Sequence, residues 1–146
     1  MPDIVKKVWG KELIYKNDEN YCVKLLFVEQ GKCCSIHFHK DKTESFLART
    51  GQVLLEVWEQ LPEDYTEKDV NELARQKPQK RLILEPHSDL KVSQNSFITI
   101  EPRVPHRFYG LSMNDNTFFE ASTLDKKNDS YRAIESMGLY KRDTNN

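Results

Sequence analysis

The stretch Gly31-Lys32-Cys33-Cys34-Ser35-Ile36-His37-Phe38-His39-Lys40-Asp41-Lys42-Thr43-Glu44, which runs on to Gly51, decides how this chain is read. His37 and His39 are two residues apart, so on a β-strand both imidazoles leave the same face. A turn over Lys40 to Thr43 brings Glu44 back beside them. Two imidazoles and a carboxylate then converge as a mixed N/O donor set for a divalent ion. One histidine on a strand is ordinarily a satisfied core or surface residue, and Cys-Ser-Ile-His-Phe-His could alternate on an exposed edge. His87, in the turn composition Glu85-Pro86-His87-Ser88-Asp89, reads as such a surface residue.

Outward from this stretch the signals are those of β-structure. Tyr21–Glu29, Cys33–His39, Glu44–Ala48, Gln52–Glu59, Lys80–Glu85, Ser96–Ile100, His106–Tyr109 and Thr117–Ser122 are short and rich in β-branched and aromatic residues. Turn chemistry separates them at Gln30-Gly31, Arg49-Thr50-Gly51, Ser93-Gln94-Asn95 and Asn114-Asp115-Asn116. About eight short strands without βαβ spacing predict an all-β, double-sheet jelly roll, with a core over about residues 20–124. Residues 62–78 break the pattern. Val70, Leu73 and Ala74 recur at helical spacing, with Thr66 as N-cap and Pro78 as stop. This predicts a short inserted helix, either a lid at the mouth of the site or a cover for a sheet edge. The polar tail Lys141–Asn146 is expected to be disordered.

Composition bounds the function classes. At 146 residues the chain is one domain's worth, able to bury about two-thirds of its unfolded surface. With 22 basic and 23 acidic residues and no basic stripe, nothing recommends a nucleic-acid partner. Met1-Pro2-Asp3-Ile4-Val5-Lys6-Lys7 lacks an apolar leader core, and no apolar run reaches the roughly 20 residues of a membrane span, so a cytoplasmic protein is expected. Cys22, Cys33 and Cys34 fit neither a disulfide framework nor a CxxC zinc site and read as small buried hydrophobes. A thiolate ligand from Cys33, which shares parity with His37 and His39, is the alternative. Ile36 and Phe38 alternate with the histidines and must pack outward against another sheet or another subunit, which suggests a homodimer.

The pattern Gly31-x5-His37-x-His39-x4-Glu44-x6-Gly51 resembles the first signature motif of the cupin superfamily at every defining position. The resemblance implies a double-stranded β-helix, the cupin jelly-roll barrel, with the inserted helix between its two motifs. Pro102-Arg103-Val104-Pro105-His106 resembles the core of the second motif, which makes His106 the expected fourth ligand. Asn95 and Arg103 stand where that motif has glycines. Asn tolerates the φ > 0 such a glycine would adopt. Arg103 implies either a different turn before His106 or a guanidinium aimed at the pocket mouth. Three imidazoles and one carboxylate leave one or two open positions on a single divalent ion, with Zn or Mn preferred over Fe, Ni or Co.

Polar residues in apolar surroundings extend the site. Lys42, two before Glu44, should point towards the ligand side. Glu120, in Thr117-Phe118-Phe119-Glu120-Ala121-Ser122, is a candidate proton shuttle, unless it merely pairs with Arg107 or Arg132. Lys24, in Val23-Lys24-Leu25-Leu26, could hold an anionic group. Arg103 and Arg107 flank His106 and could bind a substrate carboxylate or phosphate, or decorate a surface turn.

Val23–Leu26, Ser35–His39, Lys42–Glu44, Glu120–Thr123, Asn128–Arg132 and Trp9-Gly10-Lys11-Glu12 together resemble the sugar-isomerase branch of the cupins, the phosphomannose-isomerase-like and lyxose-isomerase-like proteins. That resemblance implies Lys42 and Glu120 as acid and base. The expected function is a metal-dependent aldose-ketose isomerase acting on a small sugar or sugar phosphate through a metal-stabilised enediol. The rival readings are a metal-dependent dioxygenase and a non-catalytic cupin that binds a sugar or other small metabolite.

Overall fold

The computed structural model describes every residue except 74, 93, 127, 135–138 and 143–146. Its strands are β1 (Asp3–Lys7), β2 (Gly10–Asn17), β3 (Cys22–Val28), β4 (His37–His39), β5 (Glu44–Thr50), β6 (Val53–Val57), β7 (Lys80–Leu84), β8 (Phe97–Ile100), β9 (His106–Gly110), β10 (Asn116–Ser122), β11 (Ser130–Ile134) and β12 (Leu139–Arg142), with one helix, α1 (Glu67–Leu73), between β6 and β7. They form two six-stranded antiparallel sheets, β1-β2-β3-β10-β5-β8 and β12-β11-β4-β9-β6-β7. This is the predicted jelly roll of two packed sheets.

All eight expected strands are present, most within a residue or two of the expected ends. The exception is the stretch Cys33–His39, where only His37–His39 is strand. The sheets also extend past the core expected over 20–124, because β1 and β2 build the edge beside β3 while β11 and β12 build the edge beside β4. Lys141 and Arg142, expected in a disordered tail, belong to β12; residues 143–146 lie outside the described residues. The polar composition of these segments hid edge strands, which need only one apolar face.

The inward residues of both sheets alternate along each strand into one core. Trp9, Leu26, Phe46, Leu55, Phe108 and Phe118 are among its members, with Trp9 edge-on to Phe108 at 5.0 Å and Phe46 against Phe118 at 4.8 Å. Two glycines permit close approaches that no side chain would tolerate. A Cβ on Gly10 (φ 152°) would lie 1.8 Å from the Phe27 carbonyl oxygen, and one on Gly51 (φ 69°) 2.5 Å from that of Asp115. Beside Gly51, the buried Asn116 amide ties loop to sheet. Its oxygen accepts from Gln52 N and Ser112 N, and its nitrogen donates to the Val28 and Ser112 carbonyls.

Ile36 and Phe38 do face outward, but the chain covers them itself. They pack with Trp58, Leu61, Val70, Leu73 and Ala133 in a second cluster under α1. Phe38 stacks on Tyr131 at 5.2 Å and meets Tyr65 edge-on. The helix is therefore not a lid at the mouth; it covers the β12–β11 edge of the sheet that carries β4 and roofs the outer face beside it. This removes the reason for inferring a dimer from Ile36 and Phe38. Thr66 caps α1 as expected: its hydroxyl accepts the Asp69 N–H, and the Asp69 carboxylate accepts the Thr66 N–H at 2.7 Å. Ala74 lies outside the described residues.

Candidate metal centre

Strand pairing assembles the donors. β4 presents His37 and His39, β9 begins with His106 directly opposite His37, and β5 begins with Glu44 after the turn. Ring nitrogens of the three histidines lie within 4.8 Å of one another. His106 Nε2 is 2.9 Å from Glu44 Oε1, and His39 Nε2 is 3.7 Å from the same oxygen. All four side chains are buried.

The proton positions decide whether this cluster suits a metal. Nδ1 of His37 lies 3.0 Å from the Ser35 carbonyl, and Nδ1 of His106 lies 3.0 Å from the Val104 carbonyl. A carbonyl only accepts, so each Nδ1 carries the proton and each Nε2 presents a lone pair. His106 Nε2 and Glu44 Oε1 are buried with no hydrogen-bond partner, although they face each other. Two apposed lone pairs without a proton call for a cation between them. The residues thus fit a divalent ion on an observation of their own chemistry. Burial holds the two β4 rings neutral, as ligation requires: His39 is pushed down to about 3 and His37 well below the usual imidazole range. Burial works to raise Glu44, but Lys42 and the neighbouring rings outweigh it and hold the carboxylate well below its ordinary value.

Beside the donors lies a network of ion pairs. The Lys42 ammonium, 3% exposed, is 3.2 Å from Glu44 Oε2, 3.1 Å from Glu120 Oε2 and 3.3 Å from Asp125 Oδ1. Burial opposes its charge, yet Glu120, Glu44 and Asp125 hold the ammonium well above its usual value. Glu120 sits on β10 opposite Lys24 of β3. Burial raises its carboxyl despite Lys42. Oε2 of Glu120 also accepts from the Ser122 hydroxyl, while its Oε1 takes no hydrogen bond from the described residues. Lys24 pairs with Asp125 and lies 3.4 Å from Glu12.

The network corrects three expectations. Glu120 is bonded to lysine, not to Arg107 or Arg132. Arg107 points away from the site because it alternates with inward His106; its guanidinium donates to Glu56 at 2.9 and 3.1 Å and lies over Trp58 and Tyr109. Arg103 is not aimed at the cavity either. It adopts a positive φ of 63°, the region that favours glycine, while its Nε donates to the Leu61 carbonyl and its backbone N to that of His39. The turn before His106 therefore carries a backbone strain of about 1–2 kcal/mol at Arg103. Asn95 does not adopt a positive φ. The cavity thiol is that of Cys34, not Cys33, because the alternation is interrupted before β4 begins. Cys34 accepts the Phe108 N–H, and burial pushes its thiol up to about 12. Cys22 is fully buried as expected, and Cys33 only half-buried. His87 lies at the exposed surface, 3.0 Å from the Ser96 hydroxyl.

Sequence reading missed Glu12, Asp125, Asp129 and Arg132. The signal for the acids was Lys24 and Lys42 themselves, since a lysine buried in an apolar strand needs a counter-charge. Asn17 brackets Asp125: its amide donates to the Asp125 carbonyl and accepts the Asp125 N–H at 2.9 Å. Asp129 accepts the backbone N–H groups of Lys40, Asp41 and Lys42, fixing the turn between His39 and Glu44. The donors and the network share a cavity of about 150 Å³, room for on the order of five waters.

A two-sheet jelly roll with three histidines and a glutamate converging between its sheets is a cupin. The sequence profile of D-lyxose isomerase matches residues 9–142, and the chain belongs to the D-lyxose isomerase family. In fold it is similar to L-ribose isomerase of Cellulomonas parahominis solved with L-ribose (TM-score 0.57, 17% identity, 78% of this chain and 60% of that one). It is also similar to the capsular polysaccharide assembling protein CapF of Staphylococcus aureus (TM-score 0.63, 14% identity, 90% and 31%). KdgF of a Halomonas species is a third such structure (TM-score 0.59, 10% identity, 85% and 89%). The chain spans about three-fifths of the length of the L-ribose isomerases. No curated protein matches it in sequence. Among the described residues no helix is long and apolar enough to cross a membrane.

Proposed function

We propose that this chain is a metal-dependent aldose-ketose isomerase of a small sugar. The observation that carries the reading is the Lys42 ammonium, placed 3.2 Å from Glu44 and 3.1 Å from Glu120, so that a proton-moving pair adjoins the metal donors. His37, His39, Glu44 and His106 would hold the ion, for which Zn or Mn suits the mixed donor set. When bound, it supplies the Lewis acidity that makes a hydrogen next to a carbonyl removable.

The chain's own residues do the rest. Glu120, raised by burial and with Oε1 taking no hydrogen bond from the described residues, is the base that takes the proton from C2 and returns it to C1. Lys42 stays protonated and offers a hydrogen bond to the oxygen on which negative charge develops. Lys24 and Asp125 hold the pair in place. A wall bearing three lysines, an arginine and four carboxylates suits a polyhydroxylated substrate better than the apolar pocket a dioxygenase needs.

The test is direct. Metal-loaded protein is incubated in D2O with D-lyxose, the family's namesake, with L-ribose and with other aldopentoses and aldohexoses, and ketose formation with deuterium entry at C1 of the ketose is followed by NMR. Turnover that is lost in Glu120→Gln and Lys42→Ala at unchanged metal content supports the assignment. Turnover indifferent to both substitutions overturns the mechanism, and sugar binding without any turnover leaves a binding protein.

A further inference from the structure

The two outer faces of the jelly roll are finished differently. On the sheet that carries β4, the outward Ile36 and Phe38 are buried under α1. On the other sheet the outward side chains are bare. Ile4, Leu13, Leu25, Phe119, Leu47 and Phe97 are successive register partners across β1-β2-β3-β10-β5-β8. Register partners share a face, and the chain neighbours Lys24, Phe46 and Glu120 line the internal cavity, so this apolar row crosses the outside of all six strands. Ile4 is 63%, Leu47 49% and Phe97 56% exposed. Beside the row, Tyr15 and Val23 form a shallow groove against Phe119.

From this face we propose that the chain associates as a two-fold dimer, sheet on sheet, with the row of one copy packed on the row of the other. Six strands about 4.8 Å apart, with three outward residues on a strand, give a footprint of about 30 by 20 Å, or about 600 Å² per copy. Two such footprints total about 1,200 Å², the size at which specific interfaces begin. Charge selects both the occupant and the axis. Lys6, Lys11 and Arg49 stand along one side of the row. The other side has Lys16, paired with Asp18 at 2.6 Å, and Glu19 between β2 and β3, one cation against two carboxylates. A two-fold axis lying along the row sets the cationic side of each copy over the net-negative side of its partner. The chain therefore carries both halves of the match, as an isologous interface requires. This association is independent of the isomerase reading.

The test is sedimentation equilibrium of the intact chain over about 1 µM to 1 mM, which should show monomer and dimer exchanging with a Kd in the micromolar range or tighter. Leu47→Glu with Phe97→Glu should weaken the dimer at least about a hundredfold, because each copy would bury two carboxylates without a cation. Both positions are half exposed in the single chain, so the circular dichroism spectrum should not change. Ile4→Glu, at the far end of the row on an edge strand, puts less at risk in the fold and should weaken the dimer at least about tenfold. Ile83→Glu, at a comparably exposed apolar position on the other sheet, should leave the equilibrium as it is. A chain that stays monomeric throughout overturns the proposal and leaves the face to a different protein. A dimer that survives the row variants, or one that Ile83→Glu disperses, overturns the assignment to this face.

Discussion

Asp129 grips the backbone of Lys42, not its charge. The carboxylate of Asp129 accepts the Lys42 N–H at 3.1 Å, together with the N–H groups of Lys40 and Asp41, while the Lys42 ammonium points away to Glu44 and Glu120. Asp129 is therefore a positioning residue. Asp129→Ala is expected to cost about 10–100-fold in kcat with a smaller effect on KM, since it loosens the turn that aims Lys42 without removing a donor. Steady-state kinetics on the sugar turned over best would check this, and Asp129→Asn, which keeps one acceptor oxygen, should recover part of the loss.

Metal removal should be visible without turnover. A ligand that binds only the folded chain stabilises it by about 2.7 kcal/mol at a hundredfold excess over Kd. Stripping with a chelator should lower the melting temperature, and returning Zn or Mn should restore it. His106→Ala and Glu44→Gln should abolish the restoration. A variant that melts higher on adding metal, as the parent does, would show that the ligand set is wrong.

The stripped protein also has a defined pH response. His39 and His37 are held below their ordinary values by burial, His39 at about 3. Their unfolded forms take up protons below about pH 6.5, whereas the folded rings do not. The associated stability is full above that pH and falls as the pH drops towards the folded values, by about 1.4 kcal/mol per unit for each histidine. Urea midpoints measured from pH 7.5 to 5 should fall accordingly. A flat profile would contradict the neutral, buried assignment.

The helical roof gives a stability test. Leu73 and Val70 close α1 over Ile36 and Phe38. Leu73→Ala should cost about 2–5 kcal/mol by calorimetry or denaturant titration. Asn116→Ala, which strands buried loop groups that its amide now satisfies, should cost about 1–3 kcal/mol at fixed donor geometry.

Strand existence and the convergence of His37, His39 and Glu44 were legible because both rest on short-range patterns: turn residues at Gly51, His-x-His spacing and the four-residue step to Glu44. The ion-pair partners were not, because they depend on which distant strands lie side by side. Glu120 meets Lys24 only through the pairing of β10 with β3, and Arg132 meets His37 only through β11 and β4. Arg103 shows the limit from the other side. A substitution that looked like a change of turn is absorbed by a strained backbone angle, which no pattern of residue types reveals.

The separation of these partners along the chain has a consequence for how the molecule is made. Lys24 finds Asp125 across 101 positions, Lys42 finds Glu120 across 78, and Lys40 finds Asp129 across 89. A ribosome therefore delivers both buried lysines, with Glu12 and Glu44, long before Glu120 and Asp125, the other acids that neutralise them. Until Glu120 and Asp125 have emerged, closing the sheets would bury two cations short of half of their counter-charges, which disfavours collapse of the nascent chain before β10 is made.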